Sequence, residues 1–143
     1  MKLNIFKIDA FTCATFGGNP AAVVPLNAWL EDEQLQQIAA ENNLSETAFY
    51  VRNNDHFELR WFTPGTEVNL CGHATLATAW VLANEYNETS SPIRFQSKSG
   101  ELRVTRDGNE FILDFPVQPP VPCTVPETLL PALGLGKAEV LAA

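Results

Sequence analysis

Apolar residues recur at every second position through most of the chain and on a helical period in two stretches, which predicts a sheet-rich α+β domain. Leu3, Ile5 and Ile8 begin a first strand, and Phe16-Gly17-Gly18-Asn19-Pro20 is a turn by composition. Residues 21–26 read as a second strand, ended by Pro25 and antiparallel to the first. Residues 31–43 predict a helix: Glu31, Asp32 and Glu33 complement the positive N-terminal dipole, Leu35, Ile38 and Ala39 make one stripe, and Asn42-Asn43 suits the end. Two strands, 47–52 and 56–63, flank Asn53-Asn54-Asp55 as a hairpin, with Phe57, Leu59 and Trp61 on a buried face and Glu58 and Arg60 on a wet one.

A second helix over residues 72–86 has almost no polar face, since Ala74, Leu76, Ala77, Ala79, Trp80, Val81, Leu82 and Ala83 surround it. A helix apolar all round is buried on every side. Strands over 93–98, 101–106 and 110–115 follow, separated by Ser99-Gly100 and Asp107-Gly108-Asn109. This order predicts a curved, mixed and antiparallel sheet wrapped around one central buried helix. After Phe115 six of the ten prolines fall within residues 116–131, a linker composition. The expected organisation is therefore a domain over 1–115, a proline-rich linker over 116–131, and in 132–143 the start of a second domain that the chain does not contain.

Composition narrows the function classes. With 143 residues and a formal net charge of −8, the chain has no basic field for nucleic acid or an anionic membrane. The N-terminus, Met1-Lys2-Leu3-Asn4-Ile5-Phe6-Lys7, is too interrupted by charge for a signal peptide or a membrane span, so a cytoplasmic protein is expected. Cys13, Cys71 and Cys123, with only His56 and His73, have no metal-type spacing. No metal site and no cofactor are expected, and Walker, dinucleotide and nucleophile-elbow patterns are missing. Cys13, Cys123 and His56 read as structural or surface residues.

Three segments remain as candidate chemistry. Glu46 opens an apolar strand: pointing inward it is a carboxylate in a low-dielectric setting with a raised pKa, suited to general acid/base work, and pointing outward it is an ordinary exposed strand-start residue. Leu70-Cys71-Gly72-His73 begins the buried helix, where free amides and the helix dipole make a seat for a carboxylate. There Gly72 allows close approach, Cys71 is either a thiol of lowered pKa or a small buried hydrophobe, and His73 either donates to an anion or caps the helix. Asn19, held extended by Pro20, either faces a ligand or belongs to a plain turn.

Taken in order, Asp9-Ala10-Phe11, Gly18-Asn19-Pro20-Ala21-Ala22, Leu44-Ser45-Glu46-Thr47, Arg60-Trp61-Phe62-Thr63-Pro64 and Leu70-Cys71-Gly72-His73-Ala74-Thr75 resemble the phenazine biosynthesis PhzF family. The resemblance runs from the first strand to about Phe115. It implies the diaminopimelate epimerase-like fold of two similar domains with a cleft between them. It also implies a cofactor-independent isomerase in which a glutamate, matched by Glu46, carries a proton across a small carboxylate-bearing substrate. His73 matches a substrate-contacting histidine, Asn19 lies in the segment near the cleft, and Cys71 stands where epimerase relatives hold a cysteine. Family members carry a second domain that supplies the opposite wall, so this chain alone is expected to be weak or inactive. Two rival expectations stand beside this one: a racemase or epimerase using the Cys71 thiol, and a non-catalytic domain whose exposed cleft wall pairs with a partner or with a second copy as a homodimer.

Overall fold

The computed structural model describes residues 2–117, 119, 121 and 126–135. The strands are β1 (Phe6–Ala10), β2 (Asn19–Leu26), β3 (Glu46–Asn53), β4 (His56–Phe62), β5 (Glu67–Val68), β6 (Ile93–Ser97), β7 (Gly100–Asp107) and β8 (Glu110–Asp114). The helices are α1 (Asp32–Asn42), α2 (Gly72–Glu85) and the short α3 (Leu129–Ala132). All the strands join one sheet in the order β1-β2-β3-β4-β6-β7-β8, with β5 paired to β4. The β2/β3 and β4/β6 pairs are parallel and the others antiparallel, so the sheet is mixed.

The central helix is α2, as its composition predicts, but it is not buried on every side: Trp80, in the gap between β1 and β8, is 39% exposed. It touches β1, β2, β3 and β8, and because β1 and β8 lie at opposite ends of the strand order, the sheet must curl around it. Period-two alternation chooses what it meets: Ala21 and Val23, Ala48 and Tyr50, Phe57, Leu59 and Trp61, Ile93 and Phe95, Leu102 and Val104 form one buried cluster with Ala74, Ala77, Val81 and Leu82. Small residues on α2 let the strands approach closely. Its buried hydroxyls are satisfied within the helix, Thr75 Oγ1 donating to the Cys71 carbonyl at 2.6 Å and Thr78 Oγ1 to the Ala74 carbonyl at 2.7 Å.

The opposite face of β2, β3 and β4 is covered by α1 through Val24, Leu26, Leu35, Ala39, Phe49 and Phe62. Two covered faces explain why residues 20–26 of β2 and 48–51 of β3 are continuous apolar runs instead of alternating ones. They also correct the expectation of a wet face on β4. Trp29 Nε1 donates to Glu58 Oε2 at 2.6 Å, and Arg60 is held by Glu67 at 2.8 Å and by Asp32 of α1 at 2.9 Å. These bonds leave Glu58 and Arg60 half-buried. The Trp29 hydrogen bond, with a second from Asn53, holds the Glu58 carboxyl below its ordinary value.

Two strand limits differ from the periodic pattern. Leu3 packs on the α1 side and β1 starts only at Phe6. Pro25 lies inside β2: pairing with β1 stops at Val23, so on that side no partner needs its missing N–H. At the β1/β2 connection Gly18 has φ +76°, and a Cβ there would come within 2.3 Å of the Ala10 carbonyl oxygen. Only glycine fits that turn. The proline-rich segment contributes α3, and Cys123 lies outside the described residues.

Candidate active site

Pairing register assembles the site. In the parallel β2/β3 pair Ala21 stands opposite Glu46, so Asn19 and Ser45 come to the same edge of the sheet. Glu46 shares a face with Ala48 and Tyr50, the face that α2 packs against. The first turn of α2 reaches this edge and brings Cys71 and His73 to Glu46. Asn19, Glu46, Cys71, Gly72 and His73, singled out from three separated segments, thus converge on one end of the domain.

Glu46 Oε2 lies 3.2 Å from His73 Nε2. The same oxygen is shielded from solvent and has no partner in hydrogen-bond geometry among the described residues, so this is a close approach without a directed bond. His73 is 9% exposed. Its other nitrogen, Nδ1, lies 3.3 Å from Cys71 Sγ, and Ser45 Oγ is 3.5 Å from Nε2. Ser45 also reaches Asn19 Oδ1 at 3.4 Å and the Pro20 carbonyl at 3.3 Å. In the tautomer with its proton on Nε2, the His73 imidazole leaves Nδ1 to accept from the thiol. The arrangement is a chain of three exchangeable-proton groups, Cys71, His73 and Glu46.

The thiol differs from expectation. Burial pushes Cys71 up to about 11; the Ala74 and His73 amides at the helix start pull it down, and the neighbouring Glu46 carboxylate raises it further. The helix-end field is present, but the sulfur is covered by protein and shares its pocket with an anion, and those effects win. Iodoacetamide at pH 8 is therefore expected to label exposed Cys13 well before buried Cys71, with Cys71 reacting appreciably only as pH approaches 11. Peptide mass spectrometry after timed labelling measures this, and equal rates would show an open thiolate.

Gly72 also has a neighbour that the sequence pattern did not reveal. A Cβ on Gly72 would come within 2.6 Å of the Phe115 ring. Phe111, Leu113 and Phe115 alternate onto the same face along and just beyond β8, and that period was the available signal. The space at Gly72 admits an aromatic ring. Gly72→Ala is expected to cost about 1–3 kcal/mol through this clash, and because Phe115 is partly exposed, a Gly72→Ala/Phe115→Ala pair should lose less than the sum of the two single changes. Urea unfolding of the four proteins in the cycle tests the coupling.

No side-chain hydrogen bond caps α2 at Cys71, so His73 is not a cap residue. A groove of about 810 Å³ lies elsewhere, between β1 and β8 over Leu76 and Trp80, and contains none of the five site residues. Glu46, Cys71 and His73 each offer a ligand atom within 4.8 Å of the others. Among the described residues no helix is long and apolar enough to cross a membrane.

Known proteins share this arrangement's scaffold. A protein named an uncharacterized isomerase, from Pseudomonas aeruginosa, is 58% identical over 141 residues, covering 99% of this chain and 54% of its own length. The mouse phenazine biosynthesis-like domain-containing protein 1 is 50% identical over 130 residues, covering 85% of this chain and 45% of its own. A crystal structure of a PhzF-family protein from Enterococcus faecalis superposes with a TM-score of 0.86 at 47% identity, over 94% of this chain and 52% of that one. The chain thus spans about half the length of the relatives it matches. The family model for phenazine biosynthesis-like proteins matches residues 8–130, and the chain belongs to that family.

Proposed function

We propose that this domain carries the acid/base wall of a cofactor-independent isomerase acting on a small carboxylate-bearing molecule. The observation that supports it most is Glu46 Oε2, a shielded carboxylate oxygen without a hydrogen-bond donor, 3.2 Å from His73 Nε2. An acceptor kept free in a protected place is suited to take a proton from carbon. Glu46 removes a proton from an activated carbon and returns it to another position of the same molecule, so no electrons or groups are gained or lost. His73 holds the carboxylate in place, and Ser45 and Asn19 line the approach. The uncapped start of α2 at Gly72 and His73 is the expected seat of the substrate carboxylate.

Proton transfer at carbon needs water excluded, and relatives run to about twice this length. The proposed organisation keeps residues 1–115 as one wall, 116–131 as the crossing and 132–143 as the beginning of the opposite wall. A thiol-based reaction through Cys71 has the sulfur in the right place, but a thiol with a pKa of about 11 is protonated near neutral pH and serves as an acid, not a base.

The test is deuterium wash-in from D₂O, followed by NMR, into a panel of small enolisable and allylic carboxylic acids. It compares the chain alone with a chimera continued by the second half of the Pseudomonas aeruginosa relative. Exchange by the chimera well above that of the chain alone is the expected result. Exchange by neither protein across the panel would overturn the proposal.

A further inference from the structure

Glu46, Cys71 and His73 differ in donor chemistry, one oxygen, one sulfur and one nitrogen, yet present ligand atoms within 4.8 Å of one another. We propose that these three side chains form a site for a borderline-soft divalent cation of the zinc class, and that occupancy blocks the proton transfer assigned to Glu46. One ligand comes from β3 and two from the start of α2, so no metal-type spacing marks the site along the chain.

Several features point the same way. Sγ to Nδ1 is 3.3 Å and Nε2 to Oε2 is 3.2 Å. Those two distances run to opposite ring nitrogens, so the bound for one ligand atom from each residue is 4.8 Å; metal bonds of about 2.0–2.3 Å in a tetrahedron put ligand atoms roughly 3.3–3.8 Å apart, and the widest pair must close by roughly an ångström. One ring nitrogen ligates. When it is Nδ1, Ser45 Oγ, 3.5 Å from Nε2, can accept the outer hydrogen bond that orients a metal-bound imidazole. Glu46 Oε2, shielded and without a hydrogen-bond donor, gains a partner.

Charge and donor type fit as well. The cation displaces the thiol proton to solvent and forms a metal–sulfur bond, so two ligand anions balance a charge of +2 in a buried setting. A mixed sulfur, nitrogen and oxygen set favours zinc or cobalt over magnesium or calcium, which prefer all-oxygen sites. Three protein ligands leave a fourth position open, which suits reversible occupation more than a permanent structural role.

Binding itself does not depend on the isomerase reading, whereas the inhibition does. The binding experiment uses the chain with Cys13→Ser and Cys123→Ser, so that Cys71 is its sole thiol. Cobalt(II) chloride is titrated with detection of the thiolate-to-cobalt charge-transfer band, and zinc chloride is then used to displace it. One equivalent, abolition of the band by Cys71→Ser, and at least roughly tenfold weaker zinc binding in Glu46→Gln and in His73→Gln are expected. Circular dichroism of each variant checks its fold, and zinc protection of Cys71 from slow alkylation in the otherwise unchanged chain gives a readout independent of substitution. No saturable band, or affinity unaffected by Glu46→Gln and His73→Gln, would overturn the site.

For the inhibition, zinc is added to the chimera during deuterium exchange. Loss of exchange on addition and recovery with EDTA is expected, and unchanged exchange with zinc demonstrably bound overturns the blocking role. A chimera that binds zinc but exchanges no proton even with EDTA sinks the isomerase reading and, with it, the blocking role, while leaving the metal site standing.

Discussion

Glu46→Gln is expected to slow carbon-proton exchange by about 10²–10⁴-fold, the range for one positioned acid/base group. The substitution keeps the size and shape of the side chain and removes its ability to hold a proton. It should leave the fold unchanged, because Glu46 is the first residue of β3 and its Oε2 has no hydrogen-bond partner among the described residues. A second readout follows from the site's electrostatics. The Glu46 carboxylate contributes to keeping the Cys71 thiol up, so neutralising it should lower the thiol pKa and hasten Cys71 alkylation at a fixed pH. Exchange at wild-type rate in the chimera would remove Glu46 as the base. Unchanged alkylation would show that the carboxylate and thiol are not electrostatically coupled.

Trp61→Ala should destabilise the domain by about 3–5 kcal/mol, much of the roughly 5–15 kcal/mol that holds a domain together. Trp61 is 1% exposed, belongs to the cluster around α2 and pairs with Ala48 of β3 and Val68 of β5. The cavity would open beside the strand that positions Glu46, so loss of exchange should accompany loss of stability. Trp61→Phe separates packing from polarity. The indole Nε1 is buried without a hydrogen-bond partner among the described residues, an arrangement that costs on the order of 1–3 kcal/mol. Replacing it with phenyl removes that penalty while keeping most of the volume, and a net change below about 1.5 kcal/mol is expected. Urea denaturation curves for the three proteins decide it, and a phenylalanine variant as unstable as the alanine one would refute the cost assigned to the indole N–H.

Much of the architecture is legible in the sequence. The mostly apolar stretch from Ala74 to Ala83 needed cover on most of its surface, and period-two strands with one apolar face were available to supply it. Turn chemistry separated most of the strands: Asn54 adopts φ 51° in the β3/β4 hairpin, and Asn43, with φ 50°, ends α1. The second covered face of the sheet was less visible. Glu58 and Arg60 carry charges that normally face water, and Trp29, Asp32 of α1 and Glu67 of β5 supply the partners that let them sit half-buried.

The candidate residues were equally legible as types, but not as a site. A glutamate opening an apolar strand and a Cys-Gly-His step opening an apolar helix are local features that a linear pattern can display. Their meeting depends on the parallel register of β2 and β3 and on where α2 begins, neither of which is a local property. The thiol shows the consequence most clearly. Its position at a helix start argues for a lowered pKa, yet it stands at about 11, because burial and the neighbouring carboxylate arise from residues distant along the chain. Hydrophobic periodicity acts through near neighbours and so is written into the sequence, whereas solvation and charge at Cys71, His73 and Glu46 are sums over everything that folding packs around them.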